Sequence, residues 1–279
     1  MKKMARSRVV LIKSPEVLSR DGELNEKTLA AMFDRGISLL DGSGGKGALL
    51  RTLFKREDTI GIKVNTIGGR ALSTRPETAA ALARVLTGAG LSGDRIVIWD
   101  RTNRELREAG FSLRMNRDRG PRIYGTDSQG VGYATQLVSH RGIGSLFSLI
   151  QSRTVTASVS LAILKDHGLA GVTAGMKNYF GAIHNPNKYH DDHCDPYVAE
   201  LFETSPVKGK HRLTVIDALR IQYHRGPAYH AAWAEPQGAL IFSTDPVAAD
   251  FTGWQLIERL RARSGLPSLA EEEREPSYI

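Results

Sequence analysis

Thr59-Ile-Gly-Ile-Lys-Val-Asn65, followed by Ser73-Thr-Arg-Pro-Glu77, Ala79 to Leu86 and then Arg95-Ile-Val-Ile-Trp-Asp100, is the stretch that decides the fold class. Its two apolar runs are short and β-branched, which reads as buried strands. Between them Pro76 stands where a helix starts, and Gly88 and Gly90 where one ends. Strand, helix and strand in that order argue for parallel pairing through a helical crossover.

The same alternation continues outward. Arg8-Val-Val-Leu-Ile-Lys13 reads as a strand and Asn25 to Leu40 as an amphipathic helix. Further strands are expected at about Val155 to Leu164, Leu213 to Asp217 and Ala239 to Ser243, and a helix over Pro246 to Ala262. The pattern implies an α/β fold: one Rossmann-like domain over residues 1–279, with a mostly parallel sheet and helices on both faces. Residues 114–144 lack a sustained period and read as an insertion or a pair of edge strands. The polar tail, 271–279, reads as loosely held.

Composition narrows the functional classes. Hydrophobic residues make up 41% and charged residues 24% of the 279, an ordinary globular balance. No apolar run approaches the roughly 18–20 residues needed to span a bilayer, so no membrane insertion is expected. The single Cys194 excludes an internal disulfide, and an iron–sulfur cluster held by four thiolates of one chain. The net charge of +8 is dispersed: Arg101 to Arg122, its densest part, is broken by Glu105, Glu108 and Asp118 and has no aromatic ladder. Nucleic acid is therefore not an expected partner. No residue pattern specifies an oligomeric state. With Met1 as the native start the chain is expected to be cytoplasmic, since the basic Met1 to Ser7 precedes no signal-like apolar region.

Five apolar strands end in polar residues: Lys63 and Asn65, Asp100, Lys165 to His167, Asp217, and Ser243 to Asp245. In an open parallel sheet such ends line one crevice, where ligands bind. Lys165-Asp166-His167-Gly168 offers a cation, a carboxylate and an imidazole, although a turn leaving the sheet would use the same residues. Gly175-Met-Lys177-Asn178-Tyr-Phe-Gly181 follows a run of small residues, where backbone amides with Lys177 and Asn178 suit a carboxylate or phosphate. It is not a Walker loop, and no Gly-x-Gly-x-x-Gly follows a strand, so no dinucleotide is expected. His184 to Asp195 concentrates His184, His190, His193 and Cys194, donors used by zinc and non-haem iron, though at no established spacing. Asp245 before Pro246 is what a helix start requires; Asp250, in the first turns among apolar neighbours, is free to face the crevice or a buried lysine.

Gly61-Ile-Lys63-Val-Asn65, Leu164-Lys-Asp-His167, Gly171-Val-Thr173 with Lys177-Asn-Tyr-Phe-Gly181, and Thr244-Asp-Pro-Val-Ala-Ala-Asp250 together resemble the family called domain of unknown function 362, over about Arg8 to Ile279. The segment Gly181 to His190 looks like its branch without ferredoxin modules. The resemblance implies a site at these motifs and leaves the reaction open. It also implies twin-arginine export to the periplasm for many relatives, which would apply here had a leader been removed. A more distant similarity is to the N-terminal domain of lactate racemase.

These readings converge on an enzyme acting on a small anionic substrate with a divalent metal. Lys165, His167, Lys177 and Asp217 are the expected catalytic groups. Lys63, Asn65, Asp100, Asn178, Asp245 and Asp250 are expected to bind substrate, and His184, His190, His193 and Cys194 to hold zinc or iron. A metal- or cofactor-binding accessory protein is the alternative.

Overall fold

Strands β2 (Ile60–Val64), β3 (Ile96–Asp100) and β7 (Ala157–His167) are buried along their whole length, as strands covered on both faces must be. They form the centre of the fold in the computed structural model, which describes residues 7–19, 21–42, 47–117 and 120–279. Met1 to Arg6 and Asp118, which entered the charge reading, lie outside the described residues.

β4 (Arg122–Gly125) is parallel to β3, β3 to β2, β2 to β7, and β7 to β9 (His211–Gln222). β10 (Ala234–Ser243) is antiparallel to β9 and pairs antiparallel with the edge strand β1 (Val9–Lys13). The order across the sheet is β1-β10-β9-β7-β2-β3-β4. From β2 the chain steps one way to β3 and β4, then returns to lay β7 on the other side of β2. The strand order therefore reverses between β2 and β7, where an open α/β sheet opens its ligand crevice.

Alternation along the strands builds two apolar layers. Ile60, Ile62, Val159, Leu161, Val215 and Phe242 pack with α1 (Glu26–Asp41) and α3 (Pro76–Gly88). Val97, Trp99, Leu164, Ile216 and Ile241 pack on the other side with α5 (Tyr197–Glu203) and α7 (Pro246–Arg263). The expected class, mostly parallel with helices on both faces, is the one formed. Short helices α2 (Ala48–Leu53), α4 (Asn103–Glu108) and α6 (Ser205–Lys208) complete the set.

Several local expectations are corrected. Residues 114–144 supply one true sheet strand, β4, and a separate ribbon of β5 (Val138–His140) and β6 (Ile143–Ser145). β7 does not stop at Leu164: it runs to His167, and β8 (Gly171–Thr173) folds back on it, pairing Lys165 with Thr173 and His167 with Gly171. Lys165-Asp166-His167 is thus held in a strand rather than in a turn. β9 likewise runs past Asp217 to Gln222, leaving that carboxylate mid-strand. The tail is docked: Arg274 donates to the Asp166 carboxylate at 3.0 Å and to the His167 carbonyl at 3.1 Å. The Tyr278 hydroxyl reaches the Val172 carbonyl at 3.3 Å, and Glu272 meets Arg261 at 2.8 Å.

α1 approaches β10 closely because Gly36 carries no side chain; a Cβ there would stand 2.3 Å from the Phe242 ring. Gly36→Ala is expected to cost about 1–3 kcal/mol through this overpacking. Urea unfolding of the variant should show a lower midpoint at an unchanged slope.

Candidate functional site

The floor of the crevice is a buried ion pair. Lys63, at the end of β2, donates to Asp100 Oδ1 at 2.6 Å and to the Val64 carbonyl at 2.7 Å. Asp100, ending β3, also accepts from the Arg101 amide at 2.8 Å, and its Oδ2 accepts from the Thr66 amide at 2.8 Å and hydroxyl at 2.7 Å. Every carboxylate oxygen is thus occupied, which a buried pair requires if it is not to be destabilising. Asn178, in the 3-10 helix Lys177–Ala182, donates to the Lys63 carbonyl at 2.8 Å and to Ser160 Oγ of β7 at 3.0 Å. One amide therefore bridges β2 and β7 at a position where they are paired in the sheet. Gly181 lies so close that a Cβ would sit 2.8 Å from Lys63 Nζ and 2.9 Å from Asp100 Oδ1.

Above this floor two further lysines enter the cavity. Lys165 of β7 is 1% exposed, and its Nζ has no hydrogen-bond partner. Burial lowers its pKa to about 8, with Asp100 pulling it up and Lys177 pushing it down. Lys177 is also brought to about 8 by burial, but it has partners: His190 Nε2 at 3.2 Å, Cys194 Sγ at 3.7 Å and the Phe180 ring at 4.1 Å.

The two imidazoles stack at 5.6 Å and have defined tautomers. His167 Nδ1 accepts the Leu169 and Ala170 amides, both at 3.2 Å, so a neutral ring carries its hydrogen on Nε2. Burial, then the charges of Lys177, His190, Lys165 and Arg274, hold it down to about 2. His190 donates Nδ1–H to the Pro186 carbonyl at 3.0 Å and leaves Nε2 to accept from Lys177.

These groups line a cavity of about 360 Å³, at the lower end of the range for small-molecule sites. It gathers Lys63, Asn65, Asp100, Lys165, His167, Lys177, Asn178 and His190 from the residues expected at the site. It adds Arg101, Glu105, Phe180, Asn187 and Pro227, and Ile67 and Leu169, which stand 62% and 46% exposed at the mouth. Phe180 was within a quoted motif. Nothing in the spacing of Ile67, Glu105 or Leu169 singles them out, because long-range packing alone brings them here.

The other expected residues lie elsewhere. Asp217 faces the α1 and α3 layer, accepting the Leu219 amide at 3.1 Å and lying beside Thr78 and Arg75; burial raises its pKa. Asp245 caps α7, accepting the Val247 and Ala248 amides at 3.0 and 3.2 Å. Because β10 runs antiparallel, Asp245 stands at the end of the sheet opposite the crevice. Asp250, fully buried, accepts the Gly175 and Met176 amides at 2.7 and 2.9 Å, and so positions the start of the Lys177 helix without touching the cavity. Burial lifts it to about 7.

Of the four expected metal donors, His190 and Cys194 both meet Lys177 Nζ, and the other two lie away from the cavity. His184 is exposed with its ring against Tyr133, and His193 is exposed beside the Leu169 carbonyl. Cys194 is buried behind Lys177, its thiol pushed up by burial. The backbone at Asp192, His193 and Cys194 is left-handed (φ 46°, 56° and 66°). Among the described residues no three His, Cys, Asp or Glu side chains are placed to hold a metal ion. The small residues of 168–175 also serve packing: Gly171 (φ +69°) lies against the Arg274 carbonyl and Gly175 against Thr214 and Asp250.

Residues 60–255 match the family model described as Domain of unknown function (DUF362), and the chain belongs to that family. No curated protein matches it. A crystal structure of a Thermotoga maritima protein is similar over 87% of this chain and 60% of its own length, at 11% identity and a TM-score of 0.48. Among the described residues no helix is long and apolar enough to cross a membrane.

The neutral His167 gives the site an acid limit. Below pH 6.5 the unfolded chain takes up a proton that the folded His167 refuses until about pH 2, so stability is lost as pH falls through that window. The expected contribution is about 1.4 kcal/mol per pH unit. His167→Asn, which keeps an acceptor for the two amides, should flatten the dependence of urea stability on pH between 6 and 4 by about that slope; an unchanged slope would show that His167 is protonated in the fold.

Proposed function

We propose that this crevice binds a small anionic substrate, carrying a carboxylate or phosphate, and that the chain is an enzyme transferring protons on it. The observation that carries this reading is the Lys165 ammonium, buried in the cavity wall without a partner and sharing the cavity with Lys177. An unpaired buried charge costs several kcal/mol, and an anionic oxygen is the group that removes this cost. The balance of the lining agrees: Lys63, Arg101, Lys165 and Lys177 face two carboxylates, Asp100 and Glu105, and Asp100 is saturated by its own partners.

The roles divide by environment. Lys177, held by His190 and seated on Phe180, anchors the anion. Lys165, with a pKa of about 8, is close enough to neutrality to give and take a proton at physiological pH. His167 offers a neutral Nε2–H, a donor for a developing oxyanion. The apolar rim of Ile67, Leu169, Phe180, Pro186 and Pro227 excludes water and strengthens these charges. No metal enters this scheme, because both nitrogens of His190 are occupied and His184, His193 and Cys194 lie outside the cavity.

Titration calorimetry with phosphate, acetate and a panel of mono- and dicarboxylates tests the binding step. Affinity is expected to fall as pH rises through about 8, where both lysines lose their protons. Lys165→Met and Lys177→Met should each weaken binding by about tenfold or more, the size of one lost charge-assisted hydrogen bond. Deuterium exchange at the acidic C–H of a bound carboxylate, followed by NMR, reads the proton transfer. Binding of no anion by the wild type, or equal binding by both variants, would overturn the assignment.

A further inference from the structure

We infer that Lys165 is a Schiff-base lysine and that the substrate class is a small 2-oxo acid or aldehyde acid. This rests on the anion-binding reading above and deepens it.

Three lysines reach the cavity, and their partners separate them. Lys63 is committed to Asp100 and the Val64 carbonyl, and a nitrogen so paired is not a nucleophile. Lys177 is held by the His190 acceptor, Cys194 and the Phe180 face, so its nitrogen is engaged and serves as the anion anchor below its pKa of about 8. Only Lys165 among these three is without a partner, and it is buried at the strand end beside both cavity and second cation. A lysine in an apolar pocket next to another cation is the arrangement that makes a neutral, nucleophilic amine at ordinary pH. Anion binding alone would be served as well by an ion-paired surface cluster; a free amine enclosed beside an anion anchor has a further use.

That use is addition to a carbonyl. With the substrate carboxylate on Lys177, the adjacent carbonyl carbon faces Lys165. The Nζ lone pair, once its ammonium proton has gone to water, forms the C–N bond as the C=O π pair moves to oxygen. His167 Nε2–H hydrogen-bonds that oxygen, which takes one proton from the newly bonded nitrogen and one from water and leaves as a water molecule. The product is an imine between Lys165 and the oxo acid, protonated on nitrogen beside the carboxylate; no oxidant or reductant is consumed. The apolar rim protects it from hydrolysis, and the iminium makes the neighbouring C–H acidic, which supplies the proton transfer proposed above. A phosphate ester without a carbonyl would bind but form no such bond.

The test is reductive trapping. The full chain is incubated with glyoxylate, pyruvate, 2-oxobutyrate or 2-oxoglutarate, with lactate and propionate as controls, then treated with borohydride and analysed by intact mass and peptide mapping. The expected result is one adduct, equal to the mass of the acid less one oxygen atom, on the peptide bearing Lys165 and absent with the controls. Its yield should rise with pH through about 8 while non-covalent anion binding falls. Lys165→Arg keeps the cation and cannot form an imine, so it should lose the adduct while weakening anion binding less than Lys165→Met does. Lys177→Met should lose both.

Anion binding with no adduct from any oxo acid would overturn the Schiff-base assignment and leave the anion reading standing. Loss of binding as well would remove both. An adduct spread over surface lysines, or persisting in Lys165→Arg, would equally defeat the assignment.

Discussion

The buried pair of Lys63 and Asp100 is the constraint around which the site is arranged. Each residue lies at the end of a parallel strand of the sheet, and both side chains are buried. A buried pair persists only when every remaining donor and acceptor is met. Thr66, the Arg101 amide and Asn178 meet them here, and in doing so they position the chain around the crevice. Thr66 brings the loop after β2 over β3. Asn178 fastens the 3-10 helix over the paired strands β2 and β7, and that helix delivers Lys177 and Phe180.

A second set of contacts braces the same helix from behind. Asp250 receives the Gly175 and Met176 amides from the first turns of α7. The tail holds the far side: Arg274 and Arg261 meet the Asp166 carboxylate, and Arg274 also takes the His167 carbonyl. Asp166 and His167 are neighbours on a strand, so they point to opposite sides. One anchors the C-terminus while the other lines the cavity. Of the three lysines lining the cavity, Lys165 is the one whose ammonium has no hydrogen-bond partner. In a cavity where Lys63, Asp100 and Lys177 all have partners, an ammonium without an acceptor points to a ligand.

Much of this was legible from one dimension. Lys63, Asp100, Lys165 and His167 stand out as polar residues ending apolar strands, Lys177 and Asn178 as polar residues after a small-residue run, and all six line the cavity. The failures share a different cause. Asp217 and Asp245 were placed in the crevice on the premise that all strands run the same way and stop where the apolar run stops. β10 runs antiparallel, which sends Asp245 to the other end of the sheet, and β9 continues past Asp217 onto the helix-covered face. The histidine-rich loop is split by the fold: His190 and Cys194 both meet Lys177 Nζ, while His184 and His193 are exposed away from the cavity.

By itself, then, the sequence determined the class of the fold, the identity of the central strands and the chemical character of their ends, because those depend on local periodicity and on which residues tolerate burial. Only the tertiary structure decided which ends share a crevice, which lysines are paired and which one is free. Strand direction and cross-strand neighbours are set by packing between segments far apart in the chain. The tail shows the same division: its polarity suggested a loose end, yet Glu272, Arg274 and Tyr278 find partners more than a hundred residues away or across a helix, and no local signal could have announced them.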